Sequence, residues 1–304
     1  MSIPLLDALK RSAAVPSMPQ VATRFLEIMQ KPDFDYKELI SVLSTDPGTA
    51  SEILRLTNSS LFGVVRQITS LDQAMAMLGV RRLRSIVLGR YAVETMNACK
   101  SRVIDTSYYW RRSVATAVLA SRFAEIDTPR QRDEAFIAGL LADVGVMVLD
   151  AAMPDRYRPL AEQYRPLGKD QITVAEKTLL GVTHAEVSAA VLEHWQLPEL
   201  VCDAVCHHAD EPTINKAPTL ATVVGAADAI GKYLSENPKD MERVVEVCRR
   251  EAARVGLGAQ GLVELVGDIE KQIEELASML RVDIIPSKVY DLIARAITEH
   301  LVPA

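Results

Sequence analysis

The chain has 304 residues, 49% of them hydrophobic and 24% charged, with a formal charge of −6. That is the balance of an ordinary globular chain, long enough to bury one large core or two smaller ones. The acidic excess argues against a protein whose main work is gripping nucleic acid, and no apolar run reaches the roughly 20 residues of a membrane span.

Residues 1–16 lack the basic-then-apolar plan of a signal peptide, so a cytoplasmic protein is expected. The four cysteines, Cys99, Cys202, Cys206 and Cys248, then read as reduced thiols rather than a disulfide framework.

In chain order, Pro16 and Pro19 precede a helix whose buried face is Val21, Phe25, Ile28 and Met29. A helix over 36–43 follows, then a Ser-Thr-Asp-Pro cap at 44–47 with Pro47 suited to the first helical position, and a helix carrying Ile53, Leu54 and Leu56. Asn58 and Gly63 break the pattern, and 58–66 is expected to be an exposed turn. Thr69, Ser70, Leu71 and Asp72 open a helix ending near Gly79, and Arg81, Arg82, Leu83 and Arg84 start another.

Two helices across a glycine turn can be a DNA-reading pair. Here the arginines alternate with Leu83, Ile86 and Val87, which makes 81–90 a solvated basic face with an apolar stripe behind it.

A long helix over 108–124 follows, then a polar break at 127–132 and the segment 135–149 (AFIAGLLADVGVMVL), which is apolar except for Asp143. Such a helix belongs in a core, where an unpaired carboxylate costs several kcal/mol or takes up a proton. Asp143 must therefore meet a metal, a cation or hydrogen-bond donors. The segment 217–231 (APTLATVVGAADAIG) has the same character around Asp228, which suggests one shared polar centre.

Between them Thr183 caps a helix from His184 to Trp195, and Pro198 leads into another ending at His207 and His208. Charged helices over 240–255, 260–280 and 287–300 complete the chain. No strand-type alternation, internal repeat or low-complexity stretch interrupts this, so an all-α protein is expected.

Asp143, His184, His207, His208 and Asp228 are the residues able to carry chemistry, because imidazoles and carboxylates are the usual ligands of Zn, Mn and Fe. Cys202 and Cys206, four apart beside His207, read as small apolar filler. His194 lies on a different helical face from His184 and is left out of the set.

The blocks DPGTASEILRLTNSSLFG and QITSLDQAMAMLGVRRLRSIVL resemble the HDOD domain, an output module of bacterial signalling proteins related to the HD and HD-GYP metal-dependent phosphohydrolases. WRRSVATAVLASRFA, DEAFIAGLLADVGVMVL, GVTHAEVSAAVLEHWQLPELVCDAVCHHAD and VVGAADAIG continue the likeness in order, from about residue 12 to 232.

The resemblance implies an HD-like helical bundle over 98–235, preceded by an N-terminal helical subdomain over 1–97; the tail over 236–304 lies outside it and reads as a C-terminal helical extension. It puts Asp143 and Asp228 where metal-binding aspartates stand, and matches His184, His207 and His208 to the extra histidines of two-metal relatives. The first metal-binding histidine falls on Arg112 and the histidine of the His-Asp pair on Ala142, so two ligands are lost.

Neither alanine nor a guanidinium, always protonated, can donate a lone pair to a metal. The expectation is a degenerate site in which Arg112 pairs with Asp143, Asp228 or both, with Arg111 the next candidate, no catalytic residue and no cofactor. The alternative is a phosphohydrolase holding one divalent Fe, Mn or Zn on a residual ligand set. Signalling proteins are the implied partners and a nucleotide second messenger a further candidate ligand, without nucleic acid or membrane.

Overall fold

The computed structural model describes residues 6, 9, 14–31, 33–59, 66–99, 101–165, 172–210, 218–236, 239–280 and 288–301, and among them every regular element is helical. In the N-terminal part, α1 (Gln20–Met29) is followed by α2 (Tyr36–Ser44), whose cap Asp35 accepts from the Lys37 N–H. Asp46 caps α3 (Pro47–Thr57) by accepting from Gly48 and Thr49, with Pro47 at the first helical position. The Asn58 side chain donates to the Leu54 and Ile68 carbonyls and accepts from the Ile68 N–H, which ties together the ends of the predicted 58–66 turn. Residues 60–65 of that turn lie outside the described residues.

Ser70 caps α4 (Leu71–Asn97), which joins the two expected helices into one bent element, non-helical at Gly79 (φ 75°). The basic face on α4 is less solvated than the sequence suggests. Arg82 pairs with Asp133 at 3.1 Å, Arg84 lies 3.6 Å from Glu134, and Arg90 binds Glu52 and Glu94. The Arg82 and Arg84 pairs fasten the N-terminal helices to the bundle, the Arg90 pairs tie α4 to α3 and to itself, and Arg81 is left exposed.

The bundle is built around α5 (Thr106–Asp127), capped by Asp105 and packed between α6 (Arg132–Leu141) and α12 (Leu220–Leu234). After α7 (Val144–Ala152) and the short α8 (Pro154–Tyr157) come α9 (Ile172–Leu180), α10 (His184–His194) and α11 (Glu199–His207). α10 packs on α7 and α11, and α11 also meets α6 and α12. Thr183 and Glu186 form a reciprocal capping box at the start of α10.

The C-terminal helices α13 (Met241–Arg254), α14 (Ala259–Leu280) and α15 (Lys288–Leu301) are held to the same core: α13 packs on α12, while α14 lies against both α5 and α3. A narrow apolar seam lined by Leu56, Ile86, Gly89, Leu140 and Leu276 joins α3, α4, α6 and α14. At the other end, the Trp195 indole N–H donates to the Pro16 carbonyl at 2.9 Å and Gln30 donates to Gln196 at 3.0 Å.

The apolar stretch 135–149 is two helices rather than one. α6 ends at Leu141 and α7 begins at Val144, with Asp143 (φ −104°, ψ 13°) at the turn between them. Pro129–Ala152 has the length and hydropathy of a membrane-spanning helix, yet 89% of its most apolar window is buried inside the protein, as a core element would be.

The charges bounding that stretch are buried as well. Asp150 is inaccessible, and one oxygen accepts from the Ser101 hydroxyl and from the N–H groups of Arg102, Val103 and Ile104, at 2.8–3.1 Å for the three backbone donors. It acts as an anionic plug in a nest of backbone donors that fixes the approach to α5. Asp150→Ala strands those donors and is expected to cost at least about 3 kcal/mol, read as a lowered urea midpoint. A change below about 0.5 kcal/mol would mean that water replaces the carboxylate freely.

Candidate functional site

Because α5 lies between α6 and α12, one side chain on it can reach both buried aspartates, and Arg112 does. Its Nε and Nη2 donate to the two oxygens of Asp228 at 2.8 and 2.6 Å, the planar fork matching the carboxylate. The same Nε lies 3.2 Å from Asp143 Oδ2, and Nη1 donates to the Tyr164 carbonyl at 3.0 Å. The guanidinium stacks over the Tyr164 ring, 4.3 Å from its centroid, while the Tyr164 hydroxyl donates to Asp143 Oδ2 at 2.8 Å. Arg111 points elsewhere and donates to the Ser235 carbonyl.

On the far side of Asp143 stand two imidazoles. His184 Nε2 lies 3.3 Å and His208 Nε2 3.6 Å from Asp143 Oδ1, with the rings edge to face. The outer nitrogens are fixed: His184 Nδ1 is 2.7 Å from Glu176 Oε2, and His208 Nδ1 is 2.7 Å from the Val205 carbonyl. Glu176 also accepts from the His184 backbone N–H at 2.8 Å and from the Tyr157 hydroxyl at 2.6 Å. Arg112, Asp143, Glu176, His184, His208 and Asp228 are each at most 9% exposed.

A carboxylate and a carbonyl only accept, so both Nδ1 atoms carry protons and both Nε2 atoms of neutral rings present lone pairs to Asp143 Oδ1. Those three atoms have no hydrogen-bond partner. Acceptors that face one another in a buried site call for a proton or a cation between them. The charges agree: Asp143, Asp228 and Glu176 face a single buried guanidinium.

A proton on His184 meets part of that demand. Burial works against the imidazolium, but Glu176 and then Asp143 outweigh it and raise the His184 pKa to about 10. Burial alone would raise the Asp143 pKa. The Arg112 charge, followed by the His184 and His208 contacts, holds it well below the usual carboxylate range. Lys232, one turn beyond Asp228, is pushed down to about 8 by burial and by Arg112.

A divalent cation is the other solution. Asp143, His184 and His208 form a group whose ligand atoms all lie within 4.8 Å of one another, and each imidazole has the outer partner that orients a metal-binding histidine. The donor set suits one transition-metal ion with its remaining positions left to water.

Two glycines let the chain approach this closely. A Cβ on Gly145 would collide with the His184 carbonyl oxygen and one on Gly225 with the His208 carbonyl oxygen, so each imidazole-bearing backbone rests on a glycine. The Ser188 hydroxyl accepts from the Gly145 N–H at 2.8 Å and locks the first contact.

Of the residues singled out from sequence, Arg112, Asp143, Asp228, His184 and His208 converge. His207 does not. One position along α11 is about 100° of rotation, and its ring is half exposed beside Asp203. Asp228 is also drawn off the ligand set, because both its oxygens are taken by Arg112.

Glu176, Tyr157 and Tyr164 are site residues that the sequence reading missed. Glu176 had a signal: Ile172, Glu176 and Leu180 share the buried stripe of α9, a carboxylate at an apolar position.

A family model described as the HDOD domain matches residues 15–211, a span that ends before Asp228. An uncharacterized protein of Treponema pallidum (strain Nichols) is 25% identical over 230 residues, covering 74% of this chain and 44% of that protein, so the chain spans less than half of its relative's length. Two solved structures share the fold. An HDOD domain protein of unknown function from Geobacter sulfurreducens is 22% identical over 91% of this chain and 98% of that one, with a TM-score of 0.64. A provisionally named phosphohydrolase from Shewanella amazonensis SB2B is 22% identical over 89% and 99%, with a TM-score of 0.68.

Gly225→Ala is expected to destabilise the chain by about 1–3 kcal/mol through overpacking, visible as a lower unfolding midpoint together with shifted His208 imidazole resonances. His184 carries the second expectation. Its folded pKa lies above the unfolded value of about 6.5, so its contribution is full below about pH 6.5 and is lost as pH rises towards 10. Lys232 acts with the opposite sign above pH 8, so the informative quantity is the difference between the wild type and His184→Gln, both stripped with chelator. That difference should shrink by a few kcal/mol between about pH 7 and 10, and parallel curves would show that His184 holds no extra proton.

Proposed function

We propose a function from one premise: the chain belongs to the HDOD domain family. It is a bacterial signal-transduction module that works through contacts with signalling proteins, and its HD-type centre is kept as a charge-neutralised knot rather than a catalytic site. The observation carrying this reading is the Arg112 guanidinium, bidentate on Asp228 and 3.2 Å from Asp143, at the position the resemblance gives to a metal-binding histidine.

Metal-assisted hydrolysis needs an ion with an open coordination position and a path for the phosphate ester. Both Asp228 oxygens face the Arg112 guanidinium, whose charge stands where an ion would have to approach them, Asp143 Oδ2 is bonded to Tyr164 and lies against Arg112, and the surrounding side chains are buried. The guanidinium thus supplies the positive charge that the aspartates require without supplying a reactive water.

The three partnerless lone-pair atoms favour a second reading, in which Asp143, His184 and His208 hold one divalent Fe, Mn or Zn. When bound, such an ion would polarise a phosphoryl oxygen and acidify a water. Tyr157 and Glu176 would keep His184 Nε2 aimed at it, and Arg112 would keep Asp143 ionised.

Protein purified without chelator is expected to carry well under one metal per chain and to leave bis(p-nitrophenyl) phosphate and cyclic dinucleotides intact with added Mn. Replacing Arg112→His together with Ala142→His, which restores the two missing ligands, should raise its Mn or Fe content. Stoichiometric metal that disappears in His184→Ala would establish the second reading in place of the metal-free knot, and turnover lost with it would make the protein an enzyme.

A further inference from the structure

Residues 154–165 run from α8 through a 3-10 turn at Arg158–Leu160 and cross the centre on one side. Only Tyr157, Leu160 and Tyr164 of these residues are buried. Their backbone N–H groups bond locally: Arg156 and Tyr157 to the Met153 carbonyl, Ala161 to Arg158, Gln163 to Leu160 and Arg165 to Glu162. Arg156 donates to the Leu179 carbonyl at 2.6 Å, and the other polar ties of the segment run to the centre and its edge.

Tyr164 gives its carbonyl to Arg112, its hydroxyl to Asp143 and its ring face to the guanidinium, with the Tyr108 ring edge-on at 5.7 Å. Tyr157 gives its hydroxyl to Glu176, which orients His184. The Gln163 carbonyl accepts from Lys232, which lies one turn from Asp228 on α12. At the surface, Arg165 forms a bidentate pair with Glu236 at 2.8 and 3.2 Å, just past the end of α12.

A short segment whose backbone bonds are local and whose outer face is solvated opens ahead of the surrounding core when its remaining ties are few. Here Tyr157, Leu160 and Tyr164 reach into the core, and two of them, Tyr157 and Tyr164, are bonded to the charged groups whose balance defines the centre. We propose that residues 154–165 form a strap closed by an Arg112–Tyr164–Asp143 latch, and that the strap opens as a unit, so that its position at the surface and the arrangement of the buried centre are linked.

Because coupling is reciprocal, whatever rearranges Arg112 or Asp143 loosens the strap, and whatever pulls the strap at Arg165 changes the surroundings of His184. The inference deepens the regulatory reading by naming the moving part. Its test reads opening directly, so it fails separately from the metal and turnover assays.

Hydrogen exchange of the full chain, followed by mass spectrometry, is expected to show peptides within 155–165 exchanging together, at least tenfold faster than α5 and α6. Tyr164→Phe removes the hydroxyl bond to Asp143 and keeps the ring. It should speed strap exchange a further ~10 to 150-fold while leaving α5 and α6 unchanged, the size of one buried hydrogen bond to a charged group.

Arg165→Ala, a surface change touching neither histidine, should also speed the strap and shift the His184 imidazole resonances. Strap exchange only in step with α6, acceleration spread evenly over the bundle in Tyr164→Phe, or an opened strap in Arg165→Ala with unmoved His184 resonances would each overturn the proposal.

Discussion

Three carboxylates and one guanidinium share a buried centre, and the rest of the molecule accommodates that fact. Asp143, Asp228 and Glu176 come from separate segments, and each would cost several kcal/mol buried alone. Arg112 satisfies two of them at once because α5 runs between the elements that carry them. Glu176 is answered by two N–H groups of His184 and by Tyr157. The centre therefore fixes α5, the turn between α6 and α7, residues 157–164, α9, α10, the end of α11 and α12 relative to one another.

The legible part of the sequence was the contrast between charge and surroundings. Asp143 and Asp228 stood out because each interrupts about fifteen apolar residues, and Arg112 drew attention through the resemblance. Helix starts were readable from their caps: Asp46 before Pro47, Ser70 and Thr183 all accept from the first turn of the helix they precede.

Polar residues that looked solvent-facing were harder to place. Glu134 and Asp150 stand on either side of the apolar stretch 135–149, and both are buried. The break at Ala142 and Asp143 had no local signal, since neither glycine nor proline marks it. It follows from tertiary demand, because Asp143 must face Arg112 on one side and two imidazoles on the other. The difference between His207 and His208 is likewise a single helical register that periodicity does not fix. Tyr164 could not have been found, because its role depends on a carbonyl, a hydroxyl and a ring face that three-dimensional packing alone brings to the same guanidinium.

The basic stripe on α4 shows the same limit from the opposite direction. Composition marks an arginine row as a candidate nucleic-acid or solvent face, but carboxylates at the start of α6 lie within reach and two of the arginines face them. A charge row is read correctly only once its partners are known, and those partners lie some fifty residues away in sequence. The consequence is mechanical: the N-terminal helices are joined to the bundle by ion pairs on α4, by the apolar seam with α14 and by Trp195 at the end of α10.

A buried ion-pair network is a poor device for stability alone, since apolar side chains of similar volume commonly serve as well or better. What it provides is dependence: every member is needed by at least one other, so the set has few acceptable arrangements and loses several contacts together when one is withdrawn. Tyr164 is the member best placed to be withdrawn, since it joins the guanidinium to Asp143 from a short segment whose backbone hydrogen bonds are local. A buried charge arrangement of this kind can thus have a physical use beyond stability, by making a surface segment and the centre answer to each other.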